Sequence, residues 1–272
     1  MRMELTVIKS AEPQIHETAV VDPTAKLHKN VIIEPYAVIG PNCEIGEGSI
    51  IGSHAVISKN VRMGKNNHVY PNAVIGEDPQ DLKFAGEYST VVIGNDNSFR
   101  EFVTIHRATG ENCETRIGSH NMLQAYTHVA HNSNFGDYIV VSSFSGVAGH
   151  VTVEDHAVIG AMSGVHQFVK IGAHAMVGFA SAVSQDVPPF MLVDGNPLAV
   201  RGYNVVGLRR RGFSAERIAA VKQMHKLIYR QGLTLEAARA AIAELAESAP
   251  QASDDAVMME QFLADATRGI AR

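Results

Sequence analysis

Histidine is the side chain best suited to accept a proton near neutral pH, and this chain of 272 residues carries 13 of them. Five, His106, His128, His131, His150 and His166, gather in the middle of the chain together with Gln124, Asn132 and Gln167. A base drawn from that group could activate a hydroxyl or another weak nucleophile. Four other histidines, His54, His120, His156 and His174, recur at one phase of a repeat and read as outward corners with a structural or solvent role. Two cysteines, Cys43 and Cys113, are too few for a disulfide framework, and Cys43 sits where the repeat wants a small packing residue.

These groups need a scaffold, and a six-residue ladder supplies it. Every sixth residue from Ile15 to Val183 is apolar, save Asp81, Glu87 and Glu111. A period of six fits neither a 3.6-residue helix nor a two-residue strand, and it does fit a parallel β-helix of hexapeptide units. The residue after the rung is often glycine (Gly40, Gly46, Gly52, Gly160, Gly172), which we read as a corner needing permissive backbone angles. The residue four after the rung is usually small or β-branched, so two positions of a hexad lean inward, one large and one small. The charged rungs mark loops extruded from a coil that keeps its phase, one over Glu77–Glu87 and a shorter one over Thr109–Arg116. Loops on a rigid scaffold carry function more often than the scaffold itself.

Residues 1–14 form a lead-in or cap, 15–203 the β-helix, and 204–272 a helical domain covering the end of the prism. Ser214 is placed to cap a helix over Ala215–Arg230 that Gly232 stops, Thr234 opens a second helix, and Ser253 a third. A net charge of −5 argues against nucleic acid as a general partner, and no apolar run approaches the ~20 residues of a membrane span. With no signal-like N-terminus, the expected compartment is the cytoplasm.

The hexads resemble those of hexapeptide-repeat acyltransferases, whose fold is a left-handed parallel β-helix with three hexads to a coil, so that residues 18 apart stack. Asp81-Leu82-Lys83-Phe84-Ala85-Gly86-Glu87, Thr104-Ile105-His106-Arg107, His128-Val129-Ala130-His131, Ala148-Gly149-His150, Val165-His166-Gln167-Phe168 and Gly207-Leu208-Arg209-Arg210-Arg211-Gly212-Phe213 are similar to the UDP-N-acetylglucosamine 3-O-acyltransferases that open lipid A synthesis. That resemblance spans nearly the whole chain. It implies transfer of an (R)-3-hydroxyacyl group from acyl carrier protein to the 3-hydroxyl of UDP-N-acetylglucosamine, with no cofactor and no metal, in a homotrimer whose sites lie between prisms.

By the same resemblance His131 is the general base and the Gly149 backbone N–H the oxyanion donor. Asp81 and Lys83 go to the sugar and its phosphates, and His106, His128 and His150 position the nucleotide sugar. His166 and Gln167 lie on the donor or sugar side, while Asn204, Arg210 and Arg211 meet the diphosphate or uracil end. Phe179, bulky at a slot that holds Ser53, Ala161 and Ala173 elsewhere, falls where relatives end their acyl groove. It is expected to favour a shorter acyl chain unless it packs on a neighbouring subunit, in which case Met176 is the next ruler. Departures from the family pattern are Asn132, where Asp often follows the base, Pro197 where a His can occur, and Val206 where a Glu can occur.

Two related readings compete. A zinc carbonic anhydrase shares this fold, but its His-x4-His pair is absent. A related N-acyltransferase of the same pathway carries a separate N-terminal domain, for which the short lead-in before Ile15 leaves no room.

Overall fold

The computed structural model describes residues 12–266 and 268–272, so most of the expected lead-in lies outside the described residues. Most hexads contribute a strand of two residues ending on the rung, as in Ile32–Ile33, Val38–Ile39 and Glu44–Ile45. Successive strands pass to three different parallel sheets, which form the walls of a prism. Ile33 pairs with Ile51, Ile39 with Ile57 and Ile45 with Met63, so one coil is three hexads and rungs three hexads apart are neighbours. From Ile33 onward the rungs within the coil are buried inside the prism, whereas Ile15 in the first coil is exposed.

The glycines after the rungs have a different cause from the one expected. Positive φ belongs mostly to the residue three after the rung, where the non-glycine residues Asn42, His54, Tyr126, His156 and their counterparts lie between 54° at Ala180 and 65° at Phe168. Asn and His tolerate that left-handed conformation better than most residues. The glycines are required by stacking: a Cβ on Gly40 would stand 1.5 Å from the Ser58 carbonyl oxygen of the next coil. The left-handed corners also stack on one another. His120, Tyr138, His156, His174 and Phe190 form one column, with successive centroids 4.7, 4.8, 4.8 and 5.6 Å apart.

Two excursions interrupt the coil. Val69 pairs with Phe99, five hexads on rather than three, and Phe99 pairs with Leu123, four hexads on. The excursions thus add two hexads and one, which is why the ladder keeps its phase across them. The second is shorter than the sequence suggests, because Cys113–Ile117 is a strand paired with Ser89–Ile93. Arg107, only 1% exposed, closes the foot of the first: Nε donates to the Gly76 carbonyl at 3.1 Å, Nη1 to Ser89 Oγ at 3.1 Å, and Nη2 pairs with Asp78.

The last parallel strand, Met191–Asp194, pairs with Met176–Val177, and Ala199–Tyr203 turns back antiparallel to it. Four α-helices follow: α1 (Val205–Arg210), α2 (Ala215–Tyr229), α3 (Leu235–Ser248) and α4 (Ser253–Asp265). Ser214 and Thr234 cap α2 and α3 by accepting from Arg217 N and Ala237 N, each at 3.2 Å. Ser253 is the first helical residue of α4 rather than its cap, because a 3-10 turn over Pro250–Ala252 leads into it. No helix among the described residues is long and apolar enough to cross a membrane.

Candidate active site

The strand His128–Val129 delivers His131 to the following corner, two residues past the buried rung Val129. Asn132 follows at φ 59°, and its side chain hooks onto the second excursion. Asn132 Nδ2 donates to the Thr109 carbonyl at 3.0 Å, and Oδ1 accepts the Thr109 N–H at 3.0 Å. That pair fixes which end of the amide is oxygen. The same Oδ1 lies 2.8 Å from His131 Nδ1, and an amide oxygen can only accept, so Nδ1 carries the proton and Nε2 is left with a free lone pair. Nε2 points toward the Asp81 carboxylate, 3.9 Å away.

Gly149 lies one coil further on. A Cβ there would fall 2.6 Å from both Cε1 and Nε2 of His131, so only glycine leaves room for the ring. The neighbouring His150 N–H donates to the His131 carbonyl at 3.0 Å, whereas the Gly149 N–H has no partner among the described residues. An imidazole able to act as a base and a free backbone donor therefore stand on adjacent coils of one corner.

Three more imidazoles surround this pair. His128 contacts Thr104 Oγ1 at 2.8 Å through Nδ1, and His106 meets His128 edge-on with centroids 4.8 Å apart. Burial pushes His128 down to about 4 and also lowers His106, whose Nδ1 is buried without a partner. Partial burial, and then the nearby His131, lower His150, whose ring stands perpendicular to that of His131. Near neutral pH these three are uncharged rings that can donate and accept, as recognition of sugar hydroxyls requires. Beside them an apolar trough of about 460 Å³ is lined by His128, Gly146, Gly164, His166, Ala182 and Val183. The space where Gly146 and Gly164 would carry a Cβ is open.

Asp81, a failed rung, accepts the Lys83 N–H at 3.0 Å, which holds its carboxyl below the usual carboxylate range. Lys83 itself is exposed, as are His166 and Gln167, and His166 Nδ1 lies 3.1 Å from the Gln167 carbonyl.

The remaining expected site residues stand elsewhere on the chain. Met176, Asn204, Arg210 and Arg211 line a second cavity of about 440 Å³ with Val158 and Leu192, on the outer face of the first sheet. The Asn204 side chain caps α1, accepting the Gly207 N–H at 3.0 Å and donating to the His174 carbonyl at 2.9 Å. Arg211 Nη2 donates to the His156 carbonyl at 2.7 Å while its Nη1 is buried without a partner, and Arg210 is exposed. Phe179, 66% exposed, stands on an outer corner and does not line that cavity.

Sequence reasoning missed Arg107, Thr109 and Glu87 as supports of the site. The available signal was the charge at rungs 87 and 111, where the ladder demands an apolar residue. Among the described residues no three of His, Cys, Asp or Glu are grouped so as to hold a metal ion.

Two family models match the chain. Bacterial transferase hexapeptide (six repeats) covers residues 24–59, and UDP-N-acetylglucosamine O-acyltransferase, domain 2, covers 186–271. The acyl-(acyl-carrier-protein)-UDP-N-acetylglucosamine O-acyltransferase of Paracidovorax citrulli is 54% identical over 259 residues, covering 95% of this chain and 99% of that protein. Its counterpart in Leptothrix cholodnii is 50% identical over 262 residues, with the same coverage. Among solved structures, LpxA of Acinetobacter baumannii superposes with a TM-score of 0.91 at 41% identity, covering 95% of this chain and 99% of that one. The acyltransferase of Francisella novicida gives the same score at 38% identity over 95% and 94%. The coil is left-handed, opposite to the usual hand of parallel crossovers. The chain belongs to the family of UDP-N-acetylglucosamine O-acyltransferases.

Proposed function

We propose that this protein transfers an (R)-3-hydroxyacyl group from acyl carrier protein to the 3-hydroxyl of UDP-N-acetylglucosamine, the first step of lipid A biosynthesis. The observation that carries the mechanism is the His131 ring, held by Asn132 with Nε2 free and lying against Gly149. Nε2 takes the proton of the sugar hydroxyl as its oxygen attacks the thioester carbonyl. The unpartnered Gly149 N–H donates to the oxyanion that forms. Collapse of the tetrahedral intermediate breaks the carbon–sulfur bond, and the imidazolium returns its proton to the departing thiolate. A neutral amide at Asn132 orients the ring but cannot balance the imidazolium, so Asp81 supplies the negative charge.

His106, His128 and His150 position the sugar, and Lys83 meets the phosphates. The exposed His166 lines the apolar trough, which receives the start of the acyl chain, and the exposed Gln167 follows it on the donor or sugar side. Arg210 and Arg211, with Asn204, take the nucleotide end, and Phe179 limits the acyl chain, Met176 being the alternative ruler. Because Met176, Asn204, Arg210 and Arg211 line a cavity over the outer face of the first sheet and His131 lies beyond the second, we read one complete site as drawn from two chains. An exposed ridge of Phe102, Tyr126, Phe144 and Met162 runs along the corner between those two sheets. Three such ridges meeting on a threefold axis would bury it and set each His131 corner against a neighbour's arginines, so the reading is a homotrimer. Cys43 and Cys113 are both free thiols, in keeping with a cytoplasmic setting.

The test is mass spectrometry of product formed from UDP-N-acetylglucosamine and a panel of acyl carrier protein thioesters of graded length. Acylated sugar nucleotide from a short 3-hydroxyacyl donor is the expected product, and absence of product from every donor would end the reading.

A further inference from the structure

The ladder places an apolar residue at every sixth position, yet position 87 is glutamate, and its carboxylate joins the two excursions. Oε2 accepts the Ala85 N–H at 2.8 Å in the first, and Oε1 accepts the Gly110 N–H at 2.7 Å in the second. Both bonds stabilise the ionised form and hold the carboxyl below its usual range, the Gly110 bond most strongly. Glu111, the failed rung of the second excursion, reciprocates by accepting the Tyr88 N–H at 3.2 Å, and the Asn112 N–H donates to the Tyr88 carbonyl at 2.8 Å. Gly110 is the immediate neighbour of Thr109, whose N–H and carbonyl are the two groups gripping Asn132. The first excursion, pinned at the same carboxylate, is the one that carries Asp81 to within 3.9 Å of His131 Nε2.

We propose that Glu87 is a positioning residue for His131: it fixes both the turn that selects the ring's tautomer through Asn132 and the loop that brings the Asp81 carboxylate to the opposite nitrogen. The inference rests on the reading of His131 as the base. Removal of the carboxylate frees the turn at Gly110, so Asn132 Oδ1 no longer has a fixed place beneath Nδ1. The ring then populates the Nε2–H tautomer, which cannot accept the sugar proton. A misplacement of about 1 Å at a reacting group costs roughly a hundredfold in rate.

The experiment compares the full-length wild type with Glu87→Ala, Glu87→Gln and His131→Ala by steady-state kinetics, and the first three by nitrogen-15 spectra of the His131 ring without substrate. Glu87→Ala is expected to lower kcat ten- to a hundredfold, leave KM for the acyl carrier protein thioester within about twofold, and convert a predominantly Nδ1–H ring into a mixture. Glu87→Gln, which keeps one accepting oxygen, should recover part of both and carries the test should Glu87→Ala not fold. A purely structural carboxylate would change the thermal midpoint without altering the ring signals, and that result overturns the proposal. Turnover of His131→Ala separates the two readings. An active His131→Ala overturns the assignment of the base, whereas an inert His131→Ala beside unaltered Glu87 variants overturns only the role given to Glu87.

Discussion

His131, the proposed base, and Asn132 beside it show how little of such a role is visible in a residue's own type. The sequence offers 13 histidines, and periodicity set four of them apart as corners; three of these, His120, His156 and His174, stack in one column of the coil and the fourth, His54, stacks on Tyr36. Loss of a positioned base costs 10²- to 10⁴-fold, so His131→Ala should lower kcat by about that factor at an unchanged melting temperature. Near-normal turnover would remove His131 from the mechanism. Asn132→Asp is the more discriminating change. A carboxylate under Nδ1–H favours the imidazolium, so the acidic limb of kcat/KM against pH should move to higher pH, and a limb that stays put would mean that Asn132 does not hold the ring in solution. Asn132 was legible only as a departure from a family pattern. Its grip on Thr109 was not, because that contact joins segments far apart in the chain through an excursion of irregular length.

At the scale of the element, the hexads were readable because each coil repeats one packing problem, and the excursions were readable only where a charge replaced a rung. Arg107 was hidden because an arginine beside a rung looks like surface until the foot of the loop folds over it. Arg107→Ala would strand the Gly76 carbonyl and the Ser89 hydroxyl and leave Asp78 with Lys59 alone. The expected loss is about 3 kcal/mol, read by denaturant unfolding, and a loss below roughly 1 kcal/mol would show that the loop's foot holds without it. Two buried histidines, His174 of the corner column and His128 of the candidate site, make a second prediction. Burial lowers His174 to about 3 and His128 to about 4 in the folded chain, against 6.5 unfolded. The unfolded chain then binds more protons throughout that interval, so stability should be full above about pH 6.5 and fall as the pH drops toward 4. His174→Phe, which preserves the stack on His156 and Phe190, should make that fall shallower; an unchanged pH dependence of the melting temperature would exclude His174 as a source.

For the whole molecule the proposed division of the site between two chains makes a prediction that no single-chain enzyme would satisfy. Chains carrying His131→Ala and chains carrying Arg210→Ala with Arg211→Ala are each expected to be inactive. Mixed by co-expression, they should regain about one quarter of the wild-type rate, because that share of sites in a random closed ring joins an intact His131 to an intact arginine pair. No recovery would place all the residues of a site on one chain. The same molecule is also a ladder whose rungs are coils of three hexads, except where one spans five and the next four. Each coil leans only on its neighbours, so a force applied at the open end meets them one at a time. A released coil lengthens the tether by ~60 Å, and the two that carry the excursions by ~100 Å and ~80 Å. In an optical trap the region around the active site would announce itself as two long steps in an otherwise even staircase.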